Sequence, residues 1–126
     1  QDAILVAERA QTAGVQVDQI RHSGKTRARQ TAGIFGEYLE SGGEIVASSD
    51  LGPVDDVKPV GEEITGSNKT VMLVGHLPFM ERLAGYLLMG DPDHKVIDFQ
   101  NAGLVCLKYD GDNWVTDWIL TPQLLN

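Results

Sequence analysis

Thr70 to Val74 (TVMLV) is an unbroken, β-rich apolar run of strand length, and from Pro78 onward apolar residues recur at Phe79, Leu83, Tyr86 and Leu87. That switch of period predicts strand, tight turn and amphipathic helix over Thr70 to Met89. Gly75 permits the turn, and Pro78 suits a first helical position, where its missing N–H would have no intrahelical partner. Upstream, Ala3, Val6, Ala10 and Ala13 share a face of a helix from Gln1 to Ala13, stopped by Gly14. Val15 to Ile20 alternates as a strand does, and Arg21 to Lys25 is a polar loop. Ala28, Thr31, Ile34, Phe35 and Tyr38 then predict a helix over Thr26 to Leu39, with Ser23 as a candidate cap and Gly42 and Gly43 as the stop. Glu44 to Ala47 is a short candidate strand. Ser48 to Val60, with Gly52, Pro53 and Pro59, reads as a loop holding about one helical turn. After the turn residues Asp91, Pro92 and Asp93, the runs Leu104 to Tyr109 and Trp114 to Leu120 flank Asp110, Gly111, Asp112 and Asn113, a hairpin signal.

Strands alternating with helices predict an α/β fold: a three-layer sandwich with a mostly parallel mixed sheet, helices on both faces and a C-terminal β-hairpin. The 126 residues fit one domain. The net charge of −8, from 10 basic and 18 acidic side chains, would repel a phosphate backbone overall, so nucleic acid is not an expected partner and any phosphate recognition must be local. No apolar run approaches the ~20 residues that span a bilayer, so no membrane is expected either. The single cysteine, Cys106, excludes an internal disulfide and reads as core, which fits a reducing cytosol. The first helix has no cap, no strand before it and no initiator Met, so a native segment upstream is expected.

The strand, loop, helix grammar occurs twice. The first elbow carries Arg21, His22, Ser23, Gly24, Lys25 and, in the first helical turn, Arg27; the second carries Gly75, His76 and Leu77. In a mostly parallel sheet both elbows lie on one edge, where open α/β sheets bind ligands, so Arg27, Ser23 and His76 can converge. A guanidinium fork, a hydroxyl and helix-terminal N–H groups suit a phosphate dianion, with a histidine as electrophile, acid or base. The plainer reading of His76, a turn histidine satisfied by a backbone carbonyl, stays open at this point. Arg27, Lys25 and Arg29 also read as solvated helix residues, and His22 and His94 as exposed ones. Asp55 and Asp56 read as a solubilising loop pair, with an acid near the site as the other possibility. The three histidines have no ligand spacing with a cysteine or carboxylate, and no glycine-rich nucleotide loop is present, so neither metal nor cofactor is expected.

Together the pieces resemble the histidine phosphatase superfamily, with its phosphoglycerate mutase-like fold, and within it the small SixA-type phosphohistidine phosphatases. HSGKTRARQTA, from His22 to Ala32, is similar to the family's S-x-x-x-RA-x-QTA segment, and VMLVGHLPFMERLAGYL, from Val71 to Leu87, to its second histidine motif. The resemblance runs over the whole chain, 1–126, as one domain. It implies a hydrolase without metal or other cofactor: a first histidine in an RHG motif attacks phosphorus, the arginine matching Arg27 holds phosphate oxygens, and the histidine matching His76 stabilises the transferring group. Ser23 and the Leu77 backbone N–H would line the same pocket, which would take inorganic phosphate or sulfate. The implied substrate is a cytoplasmic protein bearing phosphohistidine.

Two departures matter. No RHG strand is present, and Arg21 and His22, which mimic two of its letters, lie one element too late. The domain is therefore expected to be N-terminally incomplete by roughly thirty residues, a strand plus a loop, and inactive as these 126 residues alone. Leu51, Gly52 and Pro53 stand where larger relatives carry L-x-E, whose glutamate protonates an alkoxide. Imidazole is a far weaker base than an alkoxide and leaves phosphorus with little acid help, so the lost glutamate favours a P–N bond. The alternatives are a broad small-molecule phosphomonoesterase and a non-catalytic phosphate-binding domain.

Overall fold

The computed structural model describes residues 2–39, 44–99 and 103–124. Its elements, in chain order, are α1 (Asp2–Thr12), β1 (Gln19–His22), α2 (Thr26–Tyr38), β2 (Glu44–Ala47), α3 (Lys58–Thr65), β3 (Val71–Val74), α4 (Phe79–Met89), β4 (Leu104–Tyr109), β5 (Trp114–Leu120) and a 3₁₀ turn, Pro122–Leu124. The α/β sandwich with its terminal hairpin is as the sequence pattern indicates. Among the described residues the strands form two ladders: a parallel sheet in the order β2-β1-β3 and the antiparallel hairpin β4-β5. Gln19 to His22 pairs with Glu44 to Ala47 on one side and Val71 to Val74 on the other.

Each face of the parallel sheet has its own core, as a three-layer arrangement requires. On one face Ile20 and Met72 meet Val6, Ala7, Ala10, Ala32, Phe35 and Leu39 of the α1/α2 side, with Val74, Leu104 and Leu120 packed against them. On the other face Leu73 meets Leu51, Val57, Val60, Phe79 and Leu83, joined by Ile64, Met80 and Leu87 of the α3/α4 side. The alternation Met72, Leu73, Val74 is the period of two by which a strand feeds both faces.

Several boundaries differ from the sequence reading. The strand expected from Val15 begins at Gln19, and Ala13 is exposed rather than on the buried face. Residues 58–65, of which 58–60 fall in the stretch expected as a loop with about one helical turn, form α3: Pro59 sits in its first turn, where a missing N–H is harmless, and the amide of Lys58 is taken by the carboxylate of Asp56 at 3.0 Å. Pro78 stands at the N-cap of α4, one residue before the helix proper. Cys106 is half-buried, its thiol pushed up by burial and then by the charge of Asp117. The expectations at Gln1, Gly42 and Gly43 fall outside the described residues.

Candidate active site

β1 and β3 run parallel with His22 opposite Val74, so the residues that leave each strand emerge side by side at the carboxyl edge of the sheet. From β1 comes Ser23; from β3 come Gly75 and His76. The Ser23 hydroxyl lies 2.6 Å from His76 Nε2, closing a hydrogen bond between residues 53 apart in sequence. Either the serine donates to an unprotonated Nε2 or a protonated Nε2 donates to the serine oxygen. Ser23 Oγ also accepts the Lys25 amide at 3.4 Å. The serine expected as a helix cap is thus turned toward His76, and the N-cap of α2 is Lys25, with no side-chain cap hydrogen bond.

The open start of α2 is matched across the site. Pro78, the N-cap of α4, supplies no side-chain acceptor either, so both helices that follow the site strands leave first-turn N–H groups without a side-chain acceptor. α3, which leaves no site strand, has Asp56 on its first amide. Uncapped N-termini carry partial positive charge and suit an anion. Arg27 stands exposed in the first turn of α2, and among the described residues no ion pair engages it. Leu77 is 51% exposed and precedes Pro78 through a cis peptide bond.

Gly75 is favoured by packing rather than by an unusual φ. A Cβ there would sit 3.0 Å from Met80 Sδ and 3.3 Å from the Leu51 carbonyl, closer than side-chain carbons ordinarily approach. The absence of a side chain lets the 48–57 loop and α4 close against the turn that presents His76.

His22 corrects the sequence reading. It ends β1 on the same side as Ile20, only 6% exposed, and its Nδ1 accepts the Gly24 amide at 3.0 Å. A ring held this way sets the path of the loop that carries Ser23. Alternation from Ile20 was the signal that could have found it. Arg21, on the opposite face, spends its guanidinium on Glu63 at 3.0 and 2.5 Å and on Gln19 at 2.8 Å. The Glu63 hydrogen bond raises the Arg21 pKa further and holds the Glu63 carboxyl below the usual range. Asp55 accepts the Gly52 amide at 2.7 Å and so closes the loop that follows Leu51. His94 is exposed as expected. Among the described residues no three His, Cys, Asp or Glu side chains gather to hold a metal.

No protein-family model and no curated protein matches the sequence. Solved structures do. The protein histidine phosphatase SixA in complex with tungstate superposes with a TM-score of 0.86 at 22% identity, over 99% of this chain and 81% of that one. A crystal structure from Agrobacterium tumefaciens, named as a phosphohistidine phosphatase SixA, gives 0.76 at 26% identity, over 96% of this chain and 78% of its own. Two parallel elbows, a hairpin tail and these superpositions agree: the chain carries the fold of the SixA-type histidine phosphatases.

Proposed function

We propose that this domain belongs to a phosphatase that hydrolyses phosphohistidine on a partner protein without a metal ion, and that the phosphoryl group docks between Arg27, Ser23, His76 and the Leu77 amide. The observation that carries the reading is the Ser23–His76 pair at 2.6 Å, set between two helix N-termini that have no side-chain cap. A tetrahedral dianion there would replace that hydrogen bond by one to each partner. Serine would position a phosphoryl oxygen, and a protonated His76 would donate to one. Arg27, exposed and free to swing, supplies the bidentate fork that a planar guanidinium makes with two phosphoryl oxygens. The tungstate in the SixA complex is an oxyanion of the same shape.

In the reaction these groups serve, the phosphorus–nitrogen bond to the substrate imidazole breaks as the phosphoryl group passes to a nucleophilic histidine. Water then attacks the phosphoryl-histidine and releases phosphate. The charge gathered on the equatorial oxygens in transit is what Arg27 and His76 are placed to offset. His22 is unsuited to the nucleophile's part, because its ring lies in the core with Nδ1 on the Gly24 amide. The reading therefore assigns the nucleophile to polypeptide outside these 126 residues and makes them alone inactive. Asp55, engaged by Gly52, is a loop-closing group, which leaves the P–N substrate favoured over an alkyl phosphate ester.

Tungstate binding to the isolated chain, measured by titration calorimetry, tests the pocket. Losing a charge-assisted contact of ~1.5–3 kcal/mol should weaken the anion about ten- to a hundredfold in Arg27→Ala, and His76→Ala should weaken it as well. Unchanged affinity in both variants would remove the assignment. In an active longer form, turnover of a phosphohistidine protein against an aryl phosphate ester decides the substrate, and preference for the ester would favour the phosphomonoesterase.

A further inference from the structure

Among the described residues His22 is the only polar side chain that is buried, 6% exposed at the end of β1. It stands on the same face as Ile20, which packs into the core beneath α1 and α2. Valine or isoleucine would fill such a strand position with no polar group to satisfy, whereas a buried ring nitrogen costs free energy unless it is hydrogen-bonded. The bond that His22 makes is local: its Nδ1 accepts the amide of Gly24 at 3.0 Å. A nitrogen that accepts carries no proton, so the neutral ring holds its proton on Nε2. Gly24 has φ +86° and open space where a Cβ would stand, so this glycine serves the turn of the backbone and not packing. The His22 carbonyl is held as well, by the Ser48 amide at 2.8 Å.

Ser23 lies between these anchored residues. Its hydroxyl meets His76 Nε2 at 2.6 Å and its oxygen accepts the Lys25 amide at 3.4 Å, so the direction of Oγ depends on the backbone to either side. Asp56, Asp91 and Asp110 make the same kind of bond to an amide just ahead of them, each with a short, exposed carboxylate. At position 22 a carboxylate would put a charge in the core; imidazole supplies an acceptor without one and fills the space with a ring. We infer that His22 is a positioning residue for the anion pocket: by holding the Gly24 amide it fixes the backbone of Ser23 and points Oγ to the place where His76 and a phosphoryl oxygen meet it. The inference rests on the phosphate reading of Ser23, Arg27 and His76, and it adds a side chain that acts through Gly24 and Ser23, not on the anion itself.

Titration calorimetry with tungstate tests it through a double-mutant cycle. Ser23→Ala is expected to weaken binding about tenfold, and His22→Leu about five- to tenfold. In the Ser23→Ala background His22→Leu should change the affinity by less than about twofold, because the hydroxyl it positions is gone. His22→Asn keeps a neutral acceptor at the same reach from Cβ and should stay within about threefold of the parent. A ring that merely fills the core would carry its full loss of affinity into the Ser23→Ala background. That additive result, an unchanged affinity in His22→Leu, or an asparagine variant no better than the leucine one would each overturn the inference. A second measurement needs no variant: the ¹⁵N resonances of the parent His22 ring should show an unprotonated Nδ1 and a protonated Nε2, and the reverse tautomer would overturn the inference even if His22→Leu does not fold. Arg27→Ala separates the two failures. Weakened binding there beside a silent His22→Leu removes the positioning role alone, while indifference to Ser23→Ala, Arg27→Ala and His76→Ala together removes the pocket and the role with it.

Discussion

Gly85 lies in the middle of α4, where a helix-forming residue would ordinarily be preferred by about 0.5–1 kcal/mol. It is buried, and a Cβ there would come 2.7 Å from the Asp91 carbonyl oxygen and closer still to that of His94. Both obstacles are backbone, so neither can rotate away. Gly85→Ala is therefore expected to destabilise the fold by about 1–3 kcal/mol, the range of an overpacked core, instead of stabilising the helix. Thermal unfolding checks the sign: a higher melting temperature would mean that the 91–94 segment does not press on the helix. At this same scale the sequence reveals His76 and Ser23 through the grammar of their loops, while the burial of His22 goes unnoticed. A histidine among Arg, Ser and Lys reads as loop, and only its step of two from Ile20 shows that it turns inward.

The pairing of elements explains which parts of the fold the sequence concealed. Val57 at the N-cap of α3 and Val60 and Ile64 within it stand at helical spacing, but Pro59 and Gly61 interrupt the pattern with two residues that ordinarily end helices. Contacts elsewhere in the chain account for the glycine: a Cβ at Gly61 would lie 2.7 Å from the Tyr86 ring of α4. Arg21 is concealed in the same way, since Glu63, its partner, is 42 residues distant. The pair joins β1 to α3 and has a definite pH signature. Arg21's hydrogen bond, then its charge, depress the Glu63 pKa, so the folded state binds that proton less readily than the unfolded one. Its stabilisation is present above the ordinary glutamate range near pH 4.3 and is lost as pH falls through the lower folded value. Because the Glu63 side chain is 54% exposed, the effect is expected to stay below about 1 kcal/mol. Glu63→Gln should accordingly melt slightly lower than the parent at pH 7, with the gap narrowing as pH falls below the ordinary glutamate range; a gap that stays constant with pH would assign the loss to packing.

Across the whole molecule, stability should divide along the line where backbone pairing stops. β1 is paired on both sides and lies between two cores, so opening it breaks two ladders and exposes apolar surface on each face. The hairpin is held differently. Leu104 and Leu120 pack against the first core, β5 lies on α4, and the Trp114 indole donates to Thr65 Oγ1 at 2.9 Å, but among the described residues no ladder joins β4 to β3. Detaching it therefore costs side-chain contacts and one side-chain hydrogen bond while its own strand pairs survive. Such a unit opens below the global free energy. Native-state hydrogen exchange should show the β4 and β5 amides exchanging at least about tenfold faster than those of β1, an opening free energy lower by about 1.4 kcal/mol or more. Equal protection would mean that the side-chain contacts of the hairpin with the first core and α4 bind the two ladders into one cooperative unit.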